Sequence, residues 1–195
     1  VREVCVYFGN KLLRANRSTK IASKDLQAFD SPDYLPLAEV RIDICYNESA
    51  MSLPSKPKTF HFTELQSFPI GVLKLFPGFR FELFEGMINS NLKAVVLEAF
   101  GSGNIPTNNR ALVEGIRKSA ENGTIITVTS QCHRGGTTLG TYATSNDLVE
   151  SGAISASDMT TEAAIAKLYY LFSCGYDTDR VKLLMETNLR GEMNE

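Results

Sequence analysis

The 195-residue chain has no tryptophan and only two histidines, His61 and His133. Neither histidine has a cysteine or carboxylate partner at ligand spacing, so no metal site and no cofactor is expected. No apolar run approaches the ~20 residues that span a bilayer, which removes a membrane-spanning helix from the expectations. There is no basic block either. With 20 Lys and Arg against 22 Asp and Glu, and a net charge of −2, the footprint of a nucleic-acid binder is missing. The four cysteines, Cys5, Cys45, Cys132 and Cys174, are far apart and form no Cys-x-x-Cys pair. Each lies near apolar residues, so they read as buried thiols in a reducing cytosol, and a cytoplasmic protein is expected. The chain also lacks a Gly-x-Ser-x-Gly elbow, a P-loop lysine and the third glycine of a dinucleotide fingerprint.

What is present is a chain that is 43% apolar, enough for a core. It opens at Val1 directly into a strand-like run, which leads us to expect a fragment. Residues 4–8 and 11–14 flank Gly9-Asn10, two residues that tolerate positive φ, and predict a hairpin. Residues 40–46 alternate apolar and polar, the pattern of a half-exposed strand. Residues 47–69 hold Pro54, Pro57 and scattered Ser and Lys, and read as a linker.

The pattern then changes. Strands are expected at 70–76, 93–100 and 124–129, helices at 81–89 and from Asn108 or Asn109 to Glu121. This β-α-β-α-β order implies a parallel sheet and a three-layer α/β unit over residues 70–195. A short helix at 146–151, a longer one over 163–173 with an acidic, hydroxyl-rich start at 158–162, and a last one over 178–189 complete it.

The run 124–129 is β-branched and suits a strand buried on both faces. Beyond it the chain turns polar and glycine-rich. Ligands of open α/β sheets sit beyond the carboxyl ends of strands, and this loop occupies that place. Ser130, Gln131, Cys132, Thr137, Thr138 and Tyr142 there could hold a small polar ligand, or the segment could simply link strand to helix. Gly101-Ser102-Gly103-Asn104 could let backbone amides approach an anion, or form a plain tight turn. Cys132 has no base beside it in sequence.

Several stretches, taken together and in order, resemble the bacterial-type (type I, cytosolic) L-asparaginase family. They are residues 4–20, 71–78, the strand before Gly101 with the turn 101–106, Ser130-Gln131-Cys132, 141–144, 158–168 and 188–192. The resemblance covers the carboxy-terminal half of such an enzyme. It implies that residues 1–46 are the β-hairpin tail of an amino-terminal α/β catalytic domain, 47–69 a linker, and 70–195 the carboxy-terminal three-layer α/β domain. The threonine nucleophile of the family would then lie outside this fragment, which alone is expected to be inactive.

The implied chemistry is hydrolysis of L-asparagine to aspartate and ammonia, by a threonine hydroxyl that forms an acyl-enzyme. Lys20 matches the family's catalytic lysine, whose ammonium, once desolvated, can relay a proton. Tyr142 matches a tyrosine that in relatives reaches toward a neighbouring subunit's active site, and Asn104 a turn at the same junction. A homodimer or dimer of dimers is implied. Thr19, Gly101, Asn104, Ser130 and Cys132 match a second, regulatory asparagine site. Glu98 stands where the regulated relatives carry an arginine, and Ser130 replaces a threonine, so that form of regulation is expected to be absent. The alternatives are a non-catalytic ligand-binding or dimerisation module, or the asparaginase-like subunit of a tRNA-dependent amidotransferase.

Overall fold

The computed structural model describes residues 1–52, 61–88, 91–106, 110–140 and 143–194. The chain starts with a hairpin, β1 (Cys5–Phe8) and β2 (Lys11–Arg14), turned at Gly9, whose φ of +62° an L side chain resists. A turn of 3-10 helix leads to the two-residue strand β3 (Thr19–Lys20), paired antiparallel with β4 (Phe29–Asp30). The stretch expected as one strand at 40–46 is instead a second hairpin. β5 (Ala38–Val40) pairs with β2, and β6 (Ile44–Tyr46) pairs back on β5. The apolar-polar alternation runs through the turn unbroken because Ile42, at its tip, is fully exposed. Nothing in the pattern marked the reversal.

A parallel sheet follows. β7 (Ile70–Lys74) leads through a short α1 (Glu85–Ile88) to β8 (Ala94–Ala99). From there α2 (Arg110–Glu121) leads to β9 (Ile125–Ser130), and α3 (Ala143–Glu150) to β10 (Ile154–Ser155). Two helices close the fold, α4 (Thr161–Ser173) and α5 (Thr178–Met185). The sheet order is β10-β9-β8-β7, every neighbour parallel. Thr160 caps α4 by accepting the Ala163 amide at 3.1 Å, and Asp177 caps α5 by accepting that of Arg180 at 2.8 Å.

Alternation along the central strands builds the three layers. Val95 and Leu97 face Leu112 and Ile116 of α2 and Leu148 of α3. Ala94 and Val96 face Leu168 and Leu171 of α4 and Met185 of α5. With both faces covered, a central strand must be apolar throughout, which is why 94–97 reads as an unbroken hydrophobic run.

Three expectations are corrected. The helix over 81–89 is a 3-10 turn at Phe81–Leu83 followed by α1, with Asn89 outside the described residues. The last helix stops at Met185 rather than 189, because the Met185 and Thr187 carbonyls accept the Lys167 ammonium at 3.1 and 2.6 Å. The cysteines are not buried. All four are free, with Cys45 exposed on β6 and Cys132 exposed in the loop after β9.

Candidate functional site

Successive strand residues point to opposite sides, and β3 uses this. Thr19 turns toward α4 and its hydroxyl donates to Glu162 Oε1 at 2.7 Å. Lys20 turns the other way, exposed, with its Nζ 5.9 Å from the centre of the Phe29 ring.

The carboxyl ends of β7, β8 and β9 meet Thr19 across a polar cavity of about 170 Å³. Lys74 Nζ lies 3.5 Å from Glu98 Oε2, and the Thr161 hydroxyl donates to Glu98 Oε1 at 2.8 Å. The Ser130 hydroxyl donates to the Gly101 carbonyl at 2.6 Å and accepts the Cys132 amide at 3.0 Å. Gln131 Nε2 donates to the carbonyls of Leu75 and Glu98 at 2.7 and 2.8 Å, tying β7 to β8 at their ends. Water fills about 30 Å³ per molecule, so the space suits a few waters or one small polar molecule. Thr137, by contrast, is buried and donates to Val128 O at 3.0 Å, which makes it a brace for the loop.

Behind the cavity lies a buried ionic junction between the amino-terminal hairpins and the three-layer unit. Arg17, 3% exposed, donates to Asp158 Oδ2 at 2.8 Å and to the carbonyls of Glu192 at 2.9 Å and Asp33 at 3.2 Å. Arg14 pairs with Glu3 and donates to the carbonyls of Gly191 and Ala50, at 3.2 and 3.1 Å. The Tyr34 ring faces both guanidiniums, at 4.3 Å from Arg14 and 5.0 Å from Arg17. Lys167 meets the Glu192 carboxylate at 2.6 Å. Burial alone would raise the Asp158 carboxyl, but Arg17 and the Asn194 amide hold it below the ordinary carboxylate range. Glu192 is likewise held low against its burial, by Lys167 and the amides of Leu189 and Arg190.

The structure therefore brings Thr19, Ser130 and Cys132 to one cavity with Glu98, and joins Gly101 to it through the Ser130 hydroxyl. Lys20 and Asn104 are not in its lining. The Asn104 amide and carbonyl bond to Phe100 at 2.8 and 2.9 Å, closing a turn in which Gly101 and Gly103 have φ of +50° and +114°. Tyr142 lies outside the described residues. Sequence reasoning read 158–162 as a helix start and 4–20 and 158–168 as family blocks, and assigned no role to Arg17 or Asp158, whose polar neighbours give no sign of burial.

The four-stranded parallel sheet with helices on both faces makes this a three-layer α/β protein, and the cavity lies at the strand ends where such folds commonly hold ligands. The Glutaminase/Asparaginase C-terminal domain matches residues 69–185, and the Asparaginase, N-terminal family matches residues 1–52. The chain belongs to the asparaginase family. It is 34% identical to L-asparaginase 1 of Escherichia coli K12 over 99% of its length and 56% of that protein. It is 40% identical to a 60 kDa lysophospholipase of Homo sapiens, over 99% of its length and 34% of that protein. Its fold superposes on L-asparaginase I of Vibrio cholerae with a TM-score of 0.92 at 34% identity, covering all of this chain and 58% of that one. The chain thus spans little more than half the length of these bacterial asparaginases.

Proposed function

We propose that this chain is part of an L-asparagine amidohydrolase, which converts asparagine and water to aspartate and ammonia. The observation that carries the reading is β3: in an asparaginase-family chain, it sets Thr19 into the strand-end cavity and Lys20 on the opposite side. The nucleophile is a threonine from outside these 195 residues. Lys20 takes part in moving the hydroxyl proton, which requires its amine to be free of charge at the moment of attack. A lysine gains that state by desolvation, and Lys20 is exposed here, so the surface that covers it belongs to another part of the protein or to a second copy. Tyr142 matches a tyrosine that in relatives reaches toward a neighbouring subunit's active site and takes that role here, bonding the nucleophile or closing the pocket, and the assembly is a homodimer or a dimer of dimers. The protein works in the cytoplasm, consistent with four free thiols. Residues 1–46 belong to the catalytic unit, 47–69 link it, and 70–195 form the carboxy-terminal unit.

The test is ammonia release from asparagine by the intact protein. Steady release, with aspartate in equal amount, is expected; no release above the uncatalysed rate overturns the reading. A non-catalytic ligand-binding and dimerisation module is the second reading. The exposure of Lys20 favours it, and it predicts binding of asparagine without ammonia.

Glu98 also bears on regulation. It is already engaged by Lys74 and Thr161, and an amino acid's carboxylate placed beside it would be repelled by about 1 kcal/mol or more. Asparagine saturation is therefore expected to be hyperbolic, without regulatory binding in the Thr19, Ser130, Cys132 cavity. Calorimetry showing two asparagine sites per protomer would contradict this.

A further inference from the structure

We propose that Arg17 is a positioning residue for the reaction, and that the turn at 188–194 is the anchor through which it acts. Arg17 is three residues from Lys20 and is among the most deeply buried charges of the chain. Its fork closes on three separate segments: the Asp158 carboxylate before α4, the Glu192 carbonyl near the chain's end, and the Asp33 carbonyl after β4. Two of those segments, through Asp33 and Asp158, line the same cavity as Thr19 of β3. Without an anchor a strand of that length has little to fix it, since its pairing with β4 involves only Thr19 with Asp30 and Lys20 with Phe29.

The anchor is itself braced. Glu192 accepts the Lys167 ammonium at 2.6 Å and the amides of Leu189 and Arg190 at 3.0 and 2.6 Å. Lys167 places its remaining protons on the carbonyls of Met185 and Thr187. Asp158 accepts from both the amide and the side chain of Asn194, at 2.8 and 2.6 Å. Asp33, which receives Arg17 on its carbonyl, accepts the Gly135 amide on its carboxylate at 2.7 Å, so the same residue joins β4 to the loop after β9. At Gly191 a side chain is excluded: φ is +75°, and a Cβ would stand 2.5 Å from Arg14 Nη1. At the entry to β3, the Asn16 bond to the Arg190 carbonyl and two of the three Arg17 bonds run through this turn or through Asp158.

Two features separate the arrangement from ordinary packing. The charges are buried, where a paired guanidinium is costly to hold and is kept only in good geometry. The fork is also directional: a lysine carries the charge but cannot bond two carbonyls and a carboxylate in one plane. Reacting groups displaced by about 1 Å can lose roughly 100-fold in rate, so a residue that holds β3 in place sets the rate without touching substrate.

The proposal rests on the amidohydrolase reading, and the experiment separates the two. Arg17→Lys and the milder Asp158→Asn are made in the intact protein beside Lys20→Met. For each, kcat and KM are measured, with hydrogen exchange at the Ile21 amide, which donates to Ala28 at 2.8 Å next to β3, and at the β8 amides. In Arg17→Lys we expect kcat to fall roughly 10- to 100-fold with KM little changed. Ile21 exchange should quicken while that of the β8 amides stays slow. A smaller folded fraction would instead quicken exchange at the β8 amides together with Ile21. Asp158→Asn should move each quantity in the same direction by less. Unchanged Ile21 exchange in both variants overturns the proposal. So does wild-type kcat in both variants while Lys20→Met abolishes activity. A Lys20→Met protein with full activity removes the reading of Lys20, and the positioning role with it, whatever the exchange shows.

Discussion

The Lys167–Glu192 pair is the single contact on which the carboxy-terminal turn depends most. Both side chains are almost wholly buried, and all three ammonium protons find oxygen acceptors. Removing one member leaves a buried charge without its counter-ion, which costs about 3–5 kcal/mol, whereas removing both is far milder. Lys167→Met is therefore expected to lose about that much stability in urea denaturation, and Lys167→Met with Glu192→Gln to recover a good part of it. A single variant within 1 kcal/mol of the parent would show that the pair contributes little. The carboxylates also set the acid limit. Glu3, Asp158 and Glu192 are each held below their usual range by a cationic partner. Lowered carboxyls contribute stability above their unfolded pKa, about 4, and lose it as pH falls through their folded values. Thermal melts between pH 7 and pH 3 should show the midpoint dropping below about pH 4; a flat profile across that range would contradict the burial of these pairs.

Among the elements, β8 carries the core. Its residues 94–97 are buried on both faces, and Leu97 packs among Leu112, Ile116 and Val128. Leu97→Ala should destabilise by about 2–5 kcal/mol, the range for a leucine deleted from a core that cannot collapse. Calorimetry that finds less than 1 kcal/mol would mean that the two layers repack around the gap. The same element shows what a sequence can reveal. A β-branched, apolar strand covered on both faces is readable without its neighbours, and so are a Gly-Asn turn and an acidic, hydroxyl-rich helix start. The pairing of β5 with β6 was not readable, because its turn contains neither Gly nor Pro and its alternation never breaks. β10 was missed because two residues carry no period. The end of α5 depends on an ammonium eighteen positions away in the chain.

At the scale of the whole molecule, the candidate site is a seam. The hairpin segment supplies Thr19, with Lys20 on the opposite side of β3, and the three-layer unit supplies the strand ends and the first turn of α4. Resemblance located Thr19, Ser130 and Cys132, which the fold brings to one cavity. The junction behind them escaped because Arg17 and Asp158 are 141 positions apart, and no local pattern joins residues at that separation. The proposed amide hydrolysis, with Lys20 in the proton transfer, stands or falls on kcat for asparagine in the intact protein and in Lys20→Met. We expect ammonia release from the first and a loss of roughly 100-fold or more in the second, the scale of a positioned proton-transfer group. Equal rates in the two proteins would contradict it.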